Sequence, residues 1–284
     1  MDERKDEIIE RLKVVAQEGN IDGFYMLIRE DVKLLGHMDE LPFVDTPLHI
    51  AASVGHIPFA MEMMRLKPSF AKKSNPDGFS PIHLALQNGH IELVHRLVQV
   101  DRDLVRVKGR KGITPLHYAA ALATDDQLDL LAGFLSACPN SIEDFNIQNE
   151  TALHIALKSD KLEAFKLLVG WLVRNTSTKA MLRENAMYFE RMSYMNRRHD
   201  EECNTVLHRK VLNWKDMEGN TVLHIAVSKN QTEVVRHLLA CGGENANVHI
   251  KNLEGKTAWD ILQEQTQVDN SEIKDMLRDA KPLM

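Results

Sequence analysis

One six-residue motif recurs along the chain and constrains its fold more than any other feature. A threonine or serine is followed by a small or cyclic residue, an aliphatic residue, histidine, a large apolar residue and alanine. The copies begin at Thr46, Ser80, Thr114, Thr151 and Thr221, with a divergent copy at Thr257. Successive starts lie 34, 34, 37, 70 and 36 residues apart, and the longest step is about two periods. Such a period predicts an array of similar units that each contact only their neighbours.

Each position of the motif has a physical role at the start of a helix. The hydroxyl can accept a hydrogen bond from the first turn, and proline fits the first helical position because its missing N–H is not needed there. The aliphatic residues face inward, and alanine lets neighbouring helices approach closely. The histidine recurs at the same offset in five copies. Five catalytic or metal sites in a row are implausible, so we interpret these imidazoles as buried groups that hydrogen-bond between units.

The period near 33 and the Thr-Pro-Leu-His-x-Ala pattern resemble the ankyrin repeat. This resemblance covers nearly the whole sequence and implies an all-α solenoid of about seven helix–turn–helix repeats with β-hairpin-like tips. We expect a single domain over 1–284. Its parts are an N-terminal capping repeat with two short helices at 1–40, repeats at 41–74, 75–108, 109–145, 146–173 and 216–250, an insertion at 174–215, and a C-terminal capping repeat at 251–284. The extra length of the fourth repeat is placed around 123–126.

The predicted insertion, 174–215, breaks the period. Within it, residues 200–208 echo residues 216–224 sixteen positions later. Sixteen residues cannot hold a helix pair and a turn, so the first copy is an incomplete unit. Whether it is disordered or packs as an additional helical turn stays open from the sequence.

Composition narrows the classes of function. The formal net charge of −6 argues against nucleic acid as a general partner, because phosphate binding needs clustered lysine and arginine. Three cysteines at unrelated spacings, Cys138, Cys203 and Cys241, suggest neither disulfides nor a zinc site and fit a reducing setting. The first residues lack a signal-peptide pattern, and no apolar run approaches the ~18 residues of a membrane span. We expect a cytoplasmic monomer.

The sequence contains none of the common catalytic motifs. It lacks a Gly-Lys-Ser/Thr phosphate loop, a His-Glu-x-x-His pair, paired cysteines and a Gly-x-Ser-x-Gly elbow. We therefore predict a protein that is not an enzyme and that has no cofactor or metal. A ligand sensor or enzyme that uses the insertion, with His199 or Cys203, is an alternative, although no base-and-orienter constellation accompanies them.

The resemblance implies that partners bind at the tips, the turns 75–78, 109–112, 147–149, 216–219 and 252–255, and at the first-helix faces. Glycine or asparagine permits a positive φ in each turn, while the other turn residues vary between copies. The candidate residues for binding a protein partner are Asn75, Pro76, Asp77, Arg106, Lys108, Arg110, Lys111, Gln148, Asn149, Met217, Glu218, Leu253 and Glu254.

One of these tips is distinctly basic. Arg106, Lys108, Arg110 and Lys111 cluster without an acidic residue between Leu104 and Thr124. This cluster could attract an acidic partner segment or an anionic membrane surface, with each exposed pair contributing ~1 kcal/mol or less. A membrane-surface adaptor is therefore a further alternative.

Three stretches, 167–172, 212–226 and 252–262, look like a plant subfamily, the membrane-tethered ankyrin group that includes immune regulators. Members of that group carry a multi-span, Pro-Gly-Gly-containing membrane region after the array, and this sequence ends before any such region. The resemblance implies a protein-binding scaffold in plant defence or stress signalling. It is expected in the cytoplasm, or at the cytoplasmic face of a membrane if a longer form carries the family's membrane region.

Overall fold

The computed structural model describes residues 3–122, 124, 128–176, 210–242, 246–265 and 269–280, without the side chains of 3–6, 175–176 and 241–242. Regular structure in this part of the chain is helical, with no strand. The all-α prediction is thereby confirmed. The loop around 123–126, apart from Thr124, and residues 177–209 of the predicted insertion lie outside the described residues. The single-domain boundaries stay a prediction.

Three helices precede the first motif: α1 (Glu3–Glu18), α2 (Ile21–Glu30) and α3 (Leu34–Glu40). The sequence predicted two. The third was missed because seven residues are too few for a helical period to be recognised, although Leu34 and Met38 are spaced by four residues and both are buried.

The other helices come in pairs, and the first helix of each pair begins directly after the threonine or serine of a motif. The pairs are α4 (Pro47–Val54) with α5 (Ile57–Leu66), α6 (Pro81–Gln87) with α7 (Ile91–Val100), α8 (Pro115–Leu122) with α9 (Leu128–Ala137), α10 (Ala152–Lys158) with α11 (Leu162–Thr176), α12 (Val222–Ser228) with α13 (Thr232–Gly242), and α14 (Ala258–Glu264) with α15 (Ser271–Asp279). Helix starts therefore follow the capping residues, as the motif predicts.

Short 3₁₀ helices follow three of the second helices and add apolar residues to the core. They span Pro68–Lys72, Arg102–Arg106 and Pro139–Glu143, and they bury Phe70, Leu104 and Ile142 among others. Residues 210–212 hold the corresponding place before the fifth motif, with Val211 and Leu212 buried. This segment, which the sequence assigned to the insertion, therefore contributes buried apolar residues to the second unit.

The chain divides into two compact units. The first unit comprises Met1–Ala119 and Gly133–Ser141. In its core α4 packs against α1, α5 and α6, and the rings of Phe24 and Phe59 meet edge to face with centroids 5.6 Å apart. The second unit comprises Ala120–Ala132 and Ile142–Met284. There α11 packs against α10 and α13, and α12 packs against α14, around buried residues such as Phe165 and Leu238.

Among the described residues, none of the helices combines the length and the apolar character needed to cross a bilayer.

Candidate partner-binding surface

The histidine of the motif closes the first turn of each helix onto its capping residue. In the first copy, His49 Nδ1 lies 2.7 Å from Thr46 Oγ1 and accepts a hydrogen bond from the Thr46 N–H at 3.2 Å. The same Nδ1 contact to a threonine or serine hydroxyl recurs at His83, His117, His154 and His224. Because Nδ1 accepts from a backbone N–H, the proton of the neutral ring is on Nε2.

In four of these rings the Nε2–H donates to a backbone carbonyl that lies beside the next tip. His49 bonds the carbonyls of Lys73 and Phe79, both at 3.1 Å, and His83 bonds that of Ile113 at 2.9 Å. In the second unit, His154 reaches Asn220 O at 3.4 Å and His224 reaches Lys256 O at 3.2 Å. Each acceptor residue flanks a tip, so the buried imidazoles fix the bases of the tips.

Burial sets the protonation state of these histidines. It lowers the pKa of His49, His83 and His154 to about 4, because a charged imidazole would lose its hydration in the core. Burial also lowers the pKa of His224. The rings are therefore neutral at physiological pH, and both nitrogens of these four rings are used in structural hydrogen bonds.

A second set of bonds between repeats runs in the opposite direction, and the sequence analysis missed it. The residue that precedes the second helix reaches back to a carbonyl at the end of a helix in the preceding repeat. His56 Nε2 bonds Gln17 O at 2.8 Å and His90 Nε2 bonds Ser53 O at 3.0 Å. Gln231 Nε2 donates to Leu157 O at 3.2 Å. The available signal was a histidine or glutamine ten residues after the motif begins.

The first residue of most tips shapes the turn instead of facing solvent. The side-chain oxygen of Asn75 accepts hydrogen bonds from the N–H groups of Asp77 and Phe79, and its Nδ2 donates to Asp45. Asn146, Asp216 and Asn252 accept the two corresponding N–H groups in their own tips. Asn75 is 4% exposed. Its role as a partner-contacting residue stays a prediction, and its buried amide is already engaged in these hydrogen bonds.

The remaining predicted contact residues lie at the surface, with one exception. Asn149 is half-buried, has a φ of 57°, and donates a side-chain hydrogen bond to Lys215 O. The exposed residues are Pro76, Asp77, Arg106, Lys108, Arg110, Lys111, Gln148, Met217, Glu218, Leu253 and Glu254. Their role in binding stays a prediction.

In the second unit, successive tips are joined through their backbones. The Met217 N–H donates to Gln148 O and the Leu253 N–H donates to Glu218 O, each at 3.0 Å. A Cβ atom on Gly219 would lie 2.7 Å from the Leu253 nitrogen, so glycine is required for this approach as well as for its φ of 77°. The three tips therefore form a ladder with a fixed register.

This ladder presents three aliphatic side chains at the same turn position. We call Ile147, Met217 and Leu253 the apolar row; they are 65%, 65% and 78% exposed. Ile147 lies in the predicted tip 147–149 but was not among the single candidate residues, although its equivalence to Met217 and Leu253 was the available signal. Beside the apolar row are the polar residues Gln148, Glu218 and Glu254. Single exposed apolar residues are ordinary, and what distinguishes these three is that hydrogen-bonded tips hold them at one repeated turn position.

Ion pairing braces the base of this ladder. Lys158 Nζ lies 2.6 Å from a Glu150 carboxylate oxygen and 3.1 Å from an Asp216 carboxylate oxygen, and both carboxylates are buried. Trp214 adds a further brace, since its indole N–H donates to Asn149 O at 3.1 Å and its ring stacks on Phe145 at 5.1 Å.

The basic tip of the first unit has a different geometry. Lys111 has a φ of 59° and is followed by Gly112 at 71°, so two successive residues occupy the left-handed region. A Cβ on Gly109 would lie 2.9 Å from the His83 ring, so glycine is needed there too. The turn is thereby fixed, and Arg110 and Lys111 extend from it into solvent without an ion pair to any described residue.

The motif, the helix pairs and the tips together define an ankyrin-repeat protein. Residues 12–107 match a family model of ankyrin repeats in three copies, and residues 211–262 match a second ankyrin-repeat model. The chain belongs to the ankyrin-repeat family, and its fold is the all-α ankyrin solenoid. This fold class typically serves protein–protein interaction.

Among curated proteins, the chain is similar to the ankyrin repeat-containing protein BDA1 of Arabidopsis thaliana. The two are 40% identical over 268 residues, which is 94% of this chain and 56% of BDA1. The chain therefore spans a little over half the length of that relative.

Two solved structures support the fold alone. An ankyrin repeat domain from Acinetobacter baumannii has a TM-score of 0.58 at 20% identity, over 82% of this chain and 97% of that domain. The ankyrin repeat protein EF0377 has a TM-score of 0.57 at 18% identity, over 81% of this chain and 96% of its own.

Proposed function

We propose that this protein is a binding scaffold that contacts a protein partner through the apolar row of its second unit. One observation carries the proposal: Ile147, Met217 and Leu253 are the same turn position of three bonded tips, and all are largely exposed. Burying an aliphatic side chain at an interface contributes roughly 1.5 to 3 kcal/mol. Because the backbone frame is fixed by hydrogen bonds, little conformational entropy is lost when a partner binds.

The proposed setting is plant defence or stress signalling in the cytoplasm, or at the cytoplasmic face of a membrane in a longer form. It is supported by the resemblance of 212–226 and 252–262 to the plant membrane-tethered ankyrin group, and by the 40% identity to an Arabidopsis protein.

The test is affinity capture from plant extract with the intact chain and with Met217→Asp/Leu253→Asp. A matched control is Met26→Asp/Val32→Asp, which changes two side chains of the first unit that are 61% and 81% exposed. We expect a set of proteins that the intact chain and the control retain and the row variant loses. Circular dichroism should show equal folding for all three. If the row variant captures the same set, the partner binds elsewhere.

A second candidate function is a membrane-surface adaptor through the basic tip. It is supported by the rigid turn at 109–112, from which Arg110 and Lys111 extend beside the exposed Arg106 and Lys108. The expected result is salt-sensitive binding to vesicles that contain phosphatidylserine, lost in Arg110→Glu/Lys111→Glu and kept in the control Arg29→Glu/Lys33→Glu. Binding that is absent, or unchanged by the first variant, would remove this candidate.

The alternative of a ligand sensor or enzyme that uses the insertion gains no support, because residues 177–209 lie outside the described part of the chain.

A further inference from the structure

We infer that the partner segment on the apolar row is an amphipathic α-helix with lysine or arginine along one edge of its apolar face. This inference rests on the proposed function and specifies the partner's chemistry. It follows from the spacing of the tips and from the charges of Glu218 and Glu254, the turn residues beside the row.

The spacing of the row selects the secondary structure of the partner. Each tip is a turn between two backbone segments, and neighbouring tips are hydrogen-bonded through Met217 to Gln148 and Leu253 to Glu218. Hydrogen-bonded backbone segments lie ~4.8 Å apart. Because each tip contributes two segments side by side, equivalent residues of successive tips are separated by two such spacings, about 10 Å. Two turns of an α-helix, seven residues, advance about 10.5 Å and return to the same face. A helix lying along the row can therefore place apolar residues at positions i, i+7 and i+14 on Ile147, Met217 and Leu253.

An extended segment does not match this spacing. Residues on one face of a strand are separated by roughly 6.6 Å or 13 Å, while the residue at roughly 10 Å points to the opposite face. A strand laid along the row would contact one tip well and miss the next. For a helix, the rise of two turns exceeds the spacing of the tips by only about 0.5 Å, and movement of the Met217 and Leu253 side chains can compensate for this difference.

The charged residues next to the apolar row determine which charge the partner should carry. Glu218 and Glu254 follow Met217 and Leu253 directly, and both are exposed. Glu218 accepts a hydrogen bond from its own neighbour Asn220, and Glu254 pairs with Lys256 at 3.0 Å across an exposed contact. Such surface contacts are weak and exchangeable, so both carboxylates remain available to a cationic partner.

The nearby lysines, in contrast to Glu218 and Glu254, lie before or after the turns and not in them. Lys215 precedes its turn and donates to Lys251 O, and Lys256 follows its turn and also pairs with Glu264. Lys251 precedes the turn of the third tip and is exposed. At the turns themselves, the charge beside the row is negative.

The experiment uses two peptide display libraries of equal composition against the full chain. One presents 18-residue helix-forming sequences and the other presents 18-residue sequences with alternating apolar and polar positions. Clones are kept only if they bind the intact chain and not Met217→Asp/Leu253→Asp. We expect the helical library to dominate, with aliphatic residues seven positions apart and lysine or arginine beside them. Synthetic copies should gain helical circular dichroism on binding.

Two protein variants sharpen the result. The Kd of the selected peptides should rise at least 10-fold with Glu218→Lys/Glu254→Lys and stay within twofold with the control Met26→Asp/Val32→Asp. If row-dependent clones come from the alternating library, or carry acidic edges, the helix inference is overturned while the proposed function stands. If neither library yields row-dependent clones, the inference is overturned, and the capture experiment then decides the proposed function separately.

Discussion

The tips of the two units share one frame and differ in what they display. Asn75 in the first unit and Asp216 in the second both accept two N–H groups of their own turn. The first unit then presents Pro76 and Asp77 in one turn and Arg110 and Lys111 in the next, whereas the second presents the apolar row. The same frame therefore displays mainly charged side chains in one unit and an apolar row in the other.

The difference extends to the base of the tips. In the first unit the neutral amide of Asn75 donates to Asp45 at 3.0 Å. In the second, Lys158 lies between the buried carboxylates of Glu150 and Asp216. The three tryptophans of the chain, Trp171, Trp214 and Trp259, all belong to the second unit. Tryptophan fluorescence thus reports unfolding of the second unit alone, while circular dichroism reports unfolding of both units. The stabilities of the two units can therefore be compared by measuring both signals.

The largest expected effect is acid destabilisation, which should affect both units alike. The pKa of His49, His83 and His154 is about 4 in the folded chain and near 6.5 in an unfolded one. The unfolded chain therefore binds more protons, so stability is full above pH 6.5 and falls as pH drops from 6.5 towards 4. Each imidazole contributes about 1.4 kcal/mol per pH unit in the middle of this window.

Urea unfolding between pH 7 and 5, followed by both signals, checks this prediction. The range stays above the usual pKa of carboxylates, so histidines dominate the change. A midpoint independent of pH in this range would contradict neutral buried rings.

A smaller effect should separate the two units. Lys158→Met removes the cation between two buried carboxylates and should destabilise the second unit by about 2 kcal/mol, below the usual cost of a fully buried pair because Lys158 is partly exposed. Thermal melting followed by tryptophan fluorescence should shift downward. The matched control Lys166→Met breaks an exposed pair with Glu163 and should change stability by less than ~1 kcal/mol. Equal shifts for the two variants would contradict the bracing role of Lys158.

The smallest expected effect tests how closely neighbouring tips of the second unit approach each other. Gly219→Ala and Gly255→Ala both place a side chain at a positive φ, 77° and 76°. Only at Gly219 does the added Cβ meet backbone, 2.7 Å from the Leu253 nitrogen, whereas Gly255 faces open space. Both should lose about 1 kcal/mol from backbone strain, and Gly219→Ala should lose about 1 kcal/mol more. Urea titration compares them, and equal losses would contradict the close approach of the two tips.

The helix starts could be predicted because capping is local chemistry. A threonine or serine before the first turn, with histidine three residues later, contains the required donors and acceptors within four residues. Asp260 replaces the histidine in the last copy and still accepts from Thr257, so the cap survives the substitution.

The outward-facing residues of the tips could be predicted only in part. Sequence variability identified the turns, yet it could not separate Asn75, which turns inward, from Pro76, which faces solvent. Nor did it single out Ile147 within its tip, because the alignment of Ile147 with Met217 and Leu253 exists only once the tips are hydrogen-bonded to one another.

The sequence by itself determined the repeat period, the helix starts and the burial of the motif histidines, because each follows from a pattern within a few residues that is then repeated. Tertiary structure decided the return bonds of His56 and His90, the lysine between Glu150 and Asp216, and the joined tips of the apolar row. Apart from the pair of Lys158 with Glu150, these contacts join residues more than 30 positions apart, and their geometry exists only once neighbouring repeats have packed.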